Sequence, residues 1–330
     1  AAGRMTVRQF AEQWQAQRLR ARPQTRRRHR STLEQHVYPA LGDVPLGQVR
    51  RTTVQGLVAG LSAKGLSPST VRVIYRTVVV ALFNAAVRDQ LIATSPCRDI
   101  SLPEAGHVEV TALTVPQVLA LAEALPGWCA VLAELGAGSG LRPGEMLGLE
   151  VESVDFLRTR SVRVRQQLLT SRGDPYLGAP KTPSSVRTVP LADVTLARLA
   201  RHLQEHPPQP VEVEDRTGSK PRRRTVRLLV TDEKGRPVRA NRLSEAWTAA
   251  AAAVRESGVA LPEKVTPHVL RHTYASWLIG EGRPPKEIQA RLGPKSITET
   301  FNTYGHLMEQ AHEGTGQAIE AMFQAAAESP

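Results

Sequence analysis

Near the C-terminal end of this chain, Thr266-Pro267-His268-Val269-Leu270-Arg271-His272 is followed by Leu292-Gly293-Pro294-Lys295-Ser296-Ile297 and then by Thr303-Tyr304-Gly305-His306. Imidazole, guanidinium, ammonium and phenol groups thus gather in one region. Thr266 is a cap-forming residue, and Pro267 suits a first helical position, where a missing N–H costs nothing. His268 and Arg271 then fall three apart on one face of the opening turns. Cationic side chains beside the positive end of a helix suit a phosphate. Gly293 predicts a helix end, and Ser296-x-x-Glu299 predicts a capped restart that runs out near Tyr304. A tyrosine at a helix end is presented outward rather than packed along a face.

Two further groups lie upstream. In Gly140-Leu141-Arg142-Pro143-Gly144-Glu145, glycines allow a close backbone approach, and Glu145 sits three residues after Arg142, where it can position the guanidinium. Read alone, an Arg-x-x-Glu is a surface ion pair. Lys181 falls at a predicted hairpin turn, from which a side chain reaches into a groove; read alone, it is a solvated turn lysine. His268 and His272 are four apart, a metal-ligand spacing, but no Glu stands between them and no third ligand has a matching spacing. His272 therefore reads as a structural, hydrogen-bonded residue.

The elements that must position these groups follow from periodicity and caps. Residues 6–20 read as an amphipathic helix capped by Thr6, with Val7, Phe10, Ala11 and Trp14 on its apolar face. A second helix from Thr25 carries Arg26, Arg27, Arg28 and Arg30 and stops near Pro39, Gly42 and Asp43. Four arginines so close together cannot all face a core. A third helix runs from Thr52 to about Gly65. The fourth is capped by Ser67-Pro68 and keeps its apolar period to Leu91, with Arg72 and Arg76 on its polar face. Proline, glycine and lost periodicity over residues 94–106 mark a boundary between an all-helical unit, residues 1–105, and a second unit, residues 106–330. The second unit opens with a helix capped by Thr114 and a helix through residues 128–135. A small antiparallel sheet follows from residues 161–169, 176–179 and 186–191. Residues 207–224 read as an insertion loop, residues 228–230 as a strand, and residues 310–327 as an apolar-striped tail helix. The fold class is mainly α with a small antiparallel sheet.

Composition narrows the function. At 330 residues and 41% hydrophobic content the chain has material for two cores, and no run of about 18 apolar residues occurs. Two cysteines, Cys97 and Cys129, make no disulfide framework, so a reducing, cytoplasmic setting is expected. Net charge is +12, and residues 1–107 hold 16 Lys/Arg against six Asp/Glu. Basic excess concentrated in one unit is the footprint of a polyanion. With only 4% aromatic residues, duplex backbone fits better than stacked single strands.

Together the pieces resemble the tyrosine recombinase (phage integrase) family. The resemblance rests on Gly140-Leu141-Arg142 with Glu145, on Lys181 ahead of Ser185-Val186-Arg187-Thr188-Val189-Pro190-Leu191, on His268-Val269-Leu270-Arg271-His272-Thr273, and on Leu292-Gly293 followed by Tyr304. Order and spacing both match, over roughly residues 113–306, and the preceding module is similar to that family's SAM-like core-binding domain. The resemblance implies a site-specific DNA recombinase, an integrase of a mobile element. Tyr304 would form a 3′-phosphotyrosyl link, Arg142 and Arg271 would clamp the phosphate, and His268 would be the base or proton handler. Lys181 would protonate the 5′ leaving oxygen, and Glu145 would orient its neighbours. No metal, nucleotide or other cofactor is implied.

One position departs from the pattern. After Leu292-Gly293 the family has a histidine or tryptophan that hydrogen-bonds the scissile phosphate, and here Pro294 stands, with no side-chain donor. Lys295 and His306 are the candidate substitutes, and weakened cleavage is the expected consequence. The resemblance also implies double-stranded recombination sites as partner, contacted by Arg26, Arg27, Arg28, Arg30, Arg72 and Arg76. It further implies a tetramer on DNA joined through the tail helix, accessory DNA-bending or directionality factors, a bacterial, nucleoid-associated setting, and an arm-binding domain ahead of Ala1. Two alternatives share part of the pattern: a type IB topoisomerase, and a DNA-binding accessory protein whose active site is weakened.

Overall fold

Thr6 opens the first helix as its composition predicts. Its hydroxyl accepts from the Gln9 N–H while the Gln9 side chain accepts from the Thr6 N–H, and this reciprocal pair starts α1 (Val7–Gln17). The structure is a computed structural model and describes residues 5–18, 23–104, 112–171, 173–180, 182 and 185–293. The chain divides into two units, residues 1–108 and 109–330.

In the first unit, α1 buries Val7, Phe10, Ala11 and Trp14. The arginine-rich α2 (Pro23–Thr32) continues into a π-turn over Leu33–Val37 and then α3 (Tyr38–Leu41). Pro39 therefore does not stop the helix. In the widened turn the Tyr38 N–H reaches Leu33 O, which relieves the clash a proline makes with the preceding carbonyls of an α-helix. Helix α4 (Arg51–Ala63) closes at Gly65, with φ +77. Ser67 accepts from the Thr70 N–H to start α5 (Pro68–Ile74), which runs through a second π-turn into α6 (Val80–Arg88). This helix ends at Arg88, before Leu91. From Pro68 to Arg88 it is long and apolar enough to cross a membrane. Its apolar residues instead form the unit's own core: Val71, Ile74, Val78, Val79, Leu82 and Phe83 pack in one cluster with Leu33, Leu41 and Leu61. The chain after α6 stays tied to the unit, since the Tyr75 hydroxyl donates to Cys97 O, Arg51 donates to Asp99 O, and Gln55 and Ser101 exchange two hydrogen bonds.

In the second unit, Thr114 and Gln117 repeat the reciprocal cap at α7 (Val115–Ala124). Helix α8 (Gly127–Ser139) is the core helix, burying Trp128, Cys129, Val131, Leu132 and Leu135. Val131, Leu132 and Leu135 each contribute roughly 1.5–3 kcal/mol through their burial. The helix stops at Gly140, whose φ is +65 and where a Cβ would lie 2.4 Å from the Tyr274 ring. A short helix, α9 (Pro143–Leu147), follows.

The alternating run at 161–169 is not one strand. It breaks at Arg165 and Gln166, and its halves join different sheets. Strands β1 (Val154–Asp155), β2 (Ser161–Val164) and β5 (Arg187–Pro190) form one antiparallel sheet. Strand β3 (Gln167–Ser171) pairs with β4 (Asp174–Gly178) in the other. The break has a local cause: the Gln166 amide donates to Gly148 O and Glu150, and a Cβ on Gly148 would sit 2.7 Å from Leu168 N, which pins β3 beneath α9.

After α10 (Asp193–Glu205), residues 207–224 hold a hairpin rather than an insertion loop. Its strands are β6 (Pro210–Arg216), parallel to β4, and β7 (Arg222–Arg227). Glu214 stands opposite Arg223 and Asp215 opposite Arg222, and Asp215 is ion-paired with Arg222 and Arg224. Cross-strand opposite charges stabilise a ladder that a proline-flanked, charge-rich sequence hides. Residues 228–230 are not a strand; Leu228 makes an isolated bridge to Glu150. Helices α11 (Ala240–Glu256), α12 (Val269–Gly280) and α13 (Pro285–Leu292) complete the described chain. α12 lies close on α8, where a Cβ on Gly136 would overlap Leu270, and α12 and α13 share a small core of Tyr274, Ala275, Ile279, Ile288 and Leu292.

Candidate active site

Arg142 sits at the turn between α8 and α9, where Gly140 reverses the chain and Pro143 starts the next helix. Glu145, three residues on, accepts from the Arg142 N–H at 3.0 Å and from Arg142 Nη1 at 3.0 Å. The pair is not a surface one, because Glu145 is 2% exposed. Burial disfavours its charge, but hydrogen bonds and charge from Arg187, then the Arg142 N–H and charge, outweigh burial and hold the carboxyl below its ordinary value. Arg142 Nη2 also reaches Gly293 O, at 3.5 Å. The end of α13 therefore lies against the Arg142 guanidinium.

Helix α12 brings the second guanidinium. Arg271 Nη1 donates to Gly140 O at 2.8 Å, which fixes it beside the Arg142 turn. Thr266, expected as the helix cap, lies two residues before the N-cap position, which His268 occupies; the helix starts at Val269 after a turn in which the Arg271 N–H reaches His268 O. The three-residue spacing of His268 and Arg271 is kept. The rings of His268 and His272 meet edge to face at 5.2 Å. Among the described residues no group of three or more His, Cys, Asp or Glu could hold a metal ion.

Desolvation, then the charges of His272, Arg271 and Arg142, lower the His268 pKa to about 4, against a raising influence from Glu145. The residue is open to solvent on part of its surface; the larger effect comes from the desolvated side of the ring, and the neighbouring cations add to it. A neutral imidazole retains an acceptor nitrogen at neutral pH. The sign follows: a depressed pKa keeps the base form present until pH falls towards 4. If His268 takes up the nucleophile's proton, the cleavage rate at subsaturating DNA stays flat from about pH 7.5 down to about pH 5.5. A base of ordinary pKa, about 6.5, loses most of its rate over that interval, and such a loss would contradict the assignment.

Lys181, Pro294, Lys295, Tyr304 and His306 lie outside the described residues, as does the tail, residues 310–327, for which the sequence predicts a helix. The structure brings together Arg142, Glu145, His268 and Arg271. It adds Arg187, whose side chain is 6% exposed and which donates to both oxygens of Glu145, at 2.8 and 3.3 Å. Sequence reasoning did not single this residue out, although a signal was present: alternation puts Arg187 on the same strand face as the buried Val189, and an inward-facing arginine requires a buried partner.

The candidate DNA-contact residues belong to the first unit. Arg26, Arg27, Arg28 and Arg30 are exposed on α2, Arg76 is exposed and Arg72 half-buried. Among the described side chains of α2 the buried one is His29, stacked on Trp14 at 5.9 Å. Arg28 lines a groove of about 300 Å³ with His36, Ser69, Thr70 and Thr77.

Comparison with known proteins agrees with both units. The phage integrase family model matches residues 110–311, and the model of the phage integrase N-terminal SAM-like domain matches residues 6–62. The integrase of Mycobacterium phage L5 is 29% identical over 294 residues, covering 89% of this chain and 73% of that protein. The Tn1549 transposon integrase, solved in complex with transposon right end DNA, is 26% identical with a TM-score of 0.79, covering 98% of this chain and 100% of that one. The lambda integrase tetramer bound to a Holliday junction shares the fold at 17% identity, with a TM-score of 0.65 over 89% of this chain and 79% of that one. With its catalytic unit matched over most of its length and its helical unit matched as well, the chain belongs to the phage integrase family and is a site-specific tyrosine recombinase.

Proposed function

We propose that the chain cuts and rejoins duplex DNA by attack of the Tyr304 phenol on a phosphodiester. The observation that carries this reading is the joint anchoring of two guanidiniums near an imidazole: Arg142 on the buried Glu145, Arg271 on Gly140 O, and His268, whose pKa burial lowers first and the charges of both arginines lower further. Arg142 and Arg271 hold the non-bridging oxygens, where negative charge develops. The long contact from Arg142 to Gly293 O is the weakest of its bonds, so a phosphate replaces it while Glu145 keeps the guanidinium in place.

As the Tyr304 oxygen bonds to phosphorus, its proton passes to His268 and the 5′ oxygen leaves with a proton from Lys181. The bond energy stays in the 3′-phosphotyrosyl ester, so a 5′-hydroxyl reverses the path without a nucleotide. Pro294 leaves one phosphate contact short, and Lys295 and His306 are the candidates that replace it only in part. Phosphate contacts from Arg26, Arg27, Arg28, Arg30, Arg72 and Arg76 give salt-sensitive affinity for the duplex. Four copies assemble on two sites through the tail helix, with accessory DNA-bending or directionality factors, on the bacterial nucleoid. The DNA complex of the Tn1549 transposon integrase and the lambda integrase tetramer support the duplex partner and the assembly.

The test is to digest the protein–DNA adduct with nuclease and protease and map the nucleotide-bearing peptide by mass spectrometry. The expected peptide carries the nucleotide on Tyr304; a nucleotide on another residue would overturn the assignment.

A further inference from the structure

We propose that Arg187 is a positioning residue, tying together through one buried guanidinium the three chain segments that carry the reaction's phosphate clamp, its acid and its nucleophile. This rests on the roles given above to Arg142, Lys181 and Tyr304.

The first tie is to Glu145, met by Nη2 at 2.8 Å and Nη1 at 3.3 Å, the two-pronged geometry that only a guanidinium forms. The second is from Nη1 to Ser185 O at 3.0 Å, on the chain between Lys181 and β5. The third is from Nε to Arg291 O at 2.7 Å, in the last turn of α13, two residues before Gly293 and, in the sequence, ahead of Tyr304. Gly293 has φ +69, and a Cβ there would lie 3.0 Å from Arg187 Nη1, so the chain turns directly against this side chain. Arg187 is held in turn by β5, paired with Val164 of β2.

Stability alone does not explain such a residue, because burying a guanidinium is costly and an apolar side chain of like volume fills a core as well. Charge sharing offers a functional reason. A carboxylate paired with Arg142 alone would cancel the charge that the phosphate must feel. Two guanidiniums on one carboxylate leave a net positive charge, and Arg142 meets the phosphate still cationic.

The test uses the full chain and a supercoiled plasmid library, with single-turnover adduct formation read on denaturing gels, library binding by filter retention and melting by calorimetry. The proteins are wild type, Arg187→Met, Arg187→Lys, Glu145→Gln and the Arg187→Met/Glu145→Gln double variant. We expect Arg187→Met to slow adduct formation about 10²-fold with library binding unchanged. Arg187→Lys keeps the charge and recovers melting temperature but not rate, because an ammonium cannot make the fork. In the Glu145→Gln background the loss from Arg187→Met shrinks, since the route through the carboxylate is already broken.

A wild-type rate in Arg187→Lys overturns the inference, even if Arg187→Met does not fold. So does an equal fold-loss from Arg187→Met in both backgrounds. Absence of any adduct from the wild type overturns the reading beneath it and this inference with it, an outcome distinct from a wild-type adduct that Arg187 variants leave unaffected.

Discussion

Arg142→Ala is expected to slow formation of the covalent DNA adduct about 10³-fold while leaving the protein folded. The rate falls because one of two phosphate-clamping guanidiniums is gone, and Arg271, anchored on Gly140 O, cannot move to replace it. The fold survives because of where the remaining charges lie. Glu145 keeps both hydrogen bonds from Arg187 and the one from the backbone N–H of residue 142, so no buried carboxylate is left unpaired. With the Arg142 side chain 29% exposed, the stability change is about 1 kcal/mol. Glu145→Ala should behave differently: it strands the buried Arg187 guanidinium and costs about 3–5 kcal/mol. Adduct kinetics and thermal melting measured on the same preparations check both halves. An unchanged rate in Arg142→Ala, or a large fall in its melting temperature, would contradict the account.

Pro294→His is expected to raise the adduct rate by about 10²–10³-fold. Proline offers the phosphate no donor, whereas an imidazole N–H does, and the residue before it, Gly293, already meets Arg142 Nη2 through its carbonyl at 3.5 Å. Single-turnover cleavage by the two proteins at equal DNA occupancy is the measurement. Equal rates would mean that Lys295 or His306 already makes the contact and would contradict the expectation; a gain would show that the missing donor at Pro294 limits cleavage.

Several features were legible in the sequence because each has a local cause. Thr6, Ser67 and Thr114 announce their helices through side-chain caps, and the apolar period from Val71 to Phe83 announces the core helix. Gly293 marks a helix end because the turn there needs positive φ, and Gly140, read only as allowing close backbone approach, needs it too. The spacing of His268 and Arg271 held although the helix begins later than Thr266 suggested, since the turn before it has nearly helical geometry.

What stayed hidden depends on partners far along the chain. The strand break at Arg165-Gln166 comes from Gln166 bonding Gly148 and Glu150, and the β6–β7 hairpin from charges that cancel only when its strands face each other. Pro39 stays inside a helix because a π-turn widens ahead of it. Arg187 was visible as part of a motif, but its importance comes from Glu145, Ser185 and Arg291, which no local pattern links to it. Arg-x-x-Glu misleads for the same reason: Glu145 is buried and shares its carboxylate with Arg187, 42 residues along the chain.

The central claim is that Tyr304 joins the DNA, and it is tested most directly by incubating wild type and Tyr304→Phe with a supercoiled plasmid library and resolving adducts on a denaturing gel. The account predicts an adduct from the wild type and none from the phenylalanine variant, with equal retention of the library by both proteins. Equal adduct from both, or DNA bound by the wild type but never linked to it, would contradict the account; the second result would favour a DNA-binding role with a weakened active site.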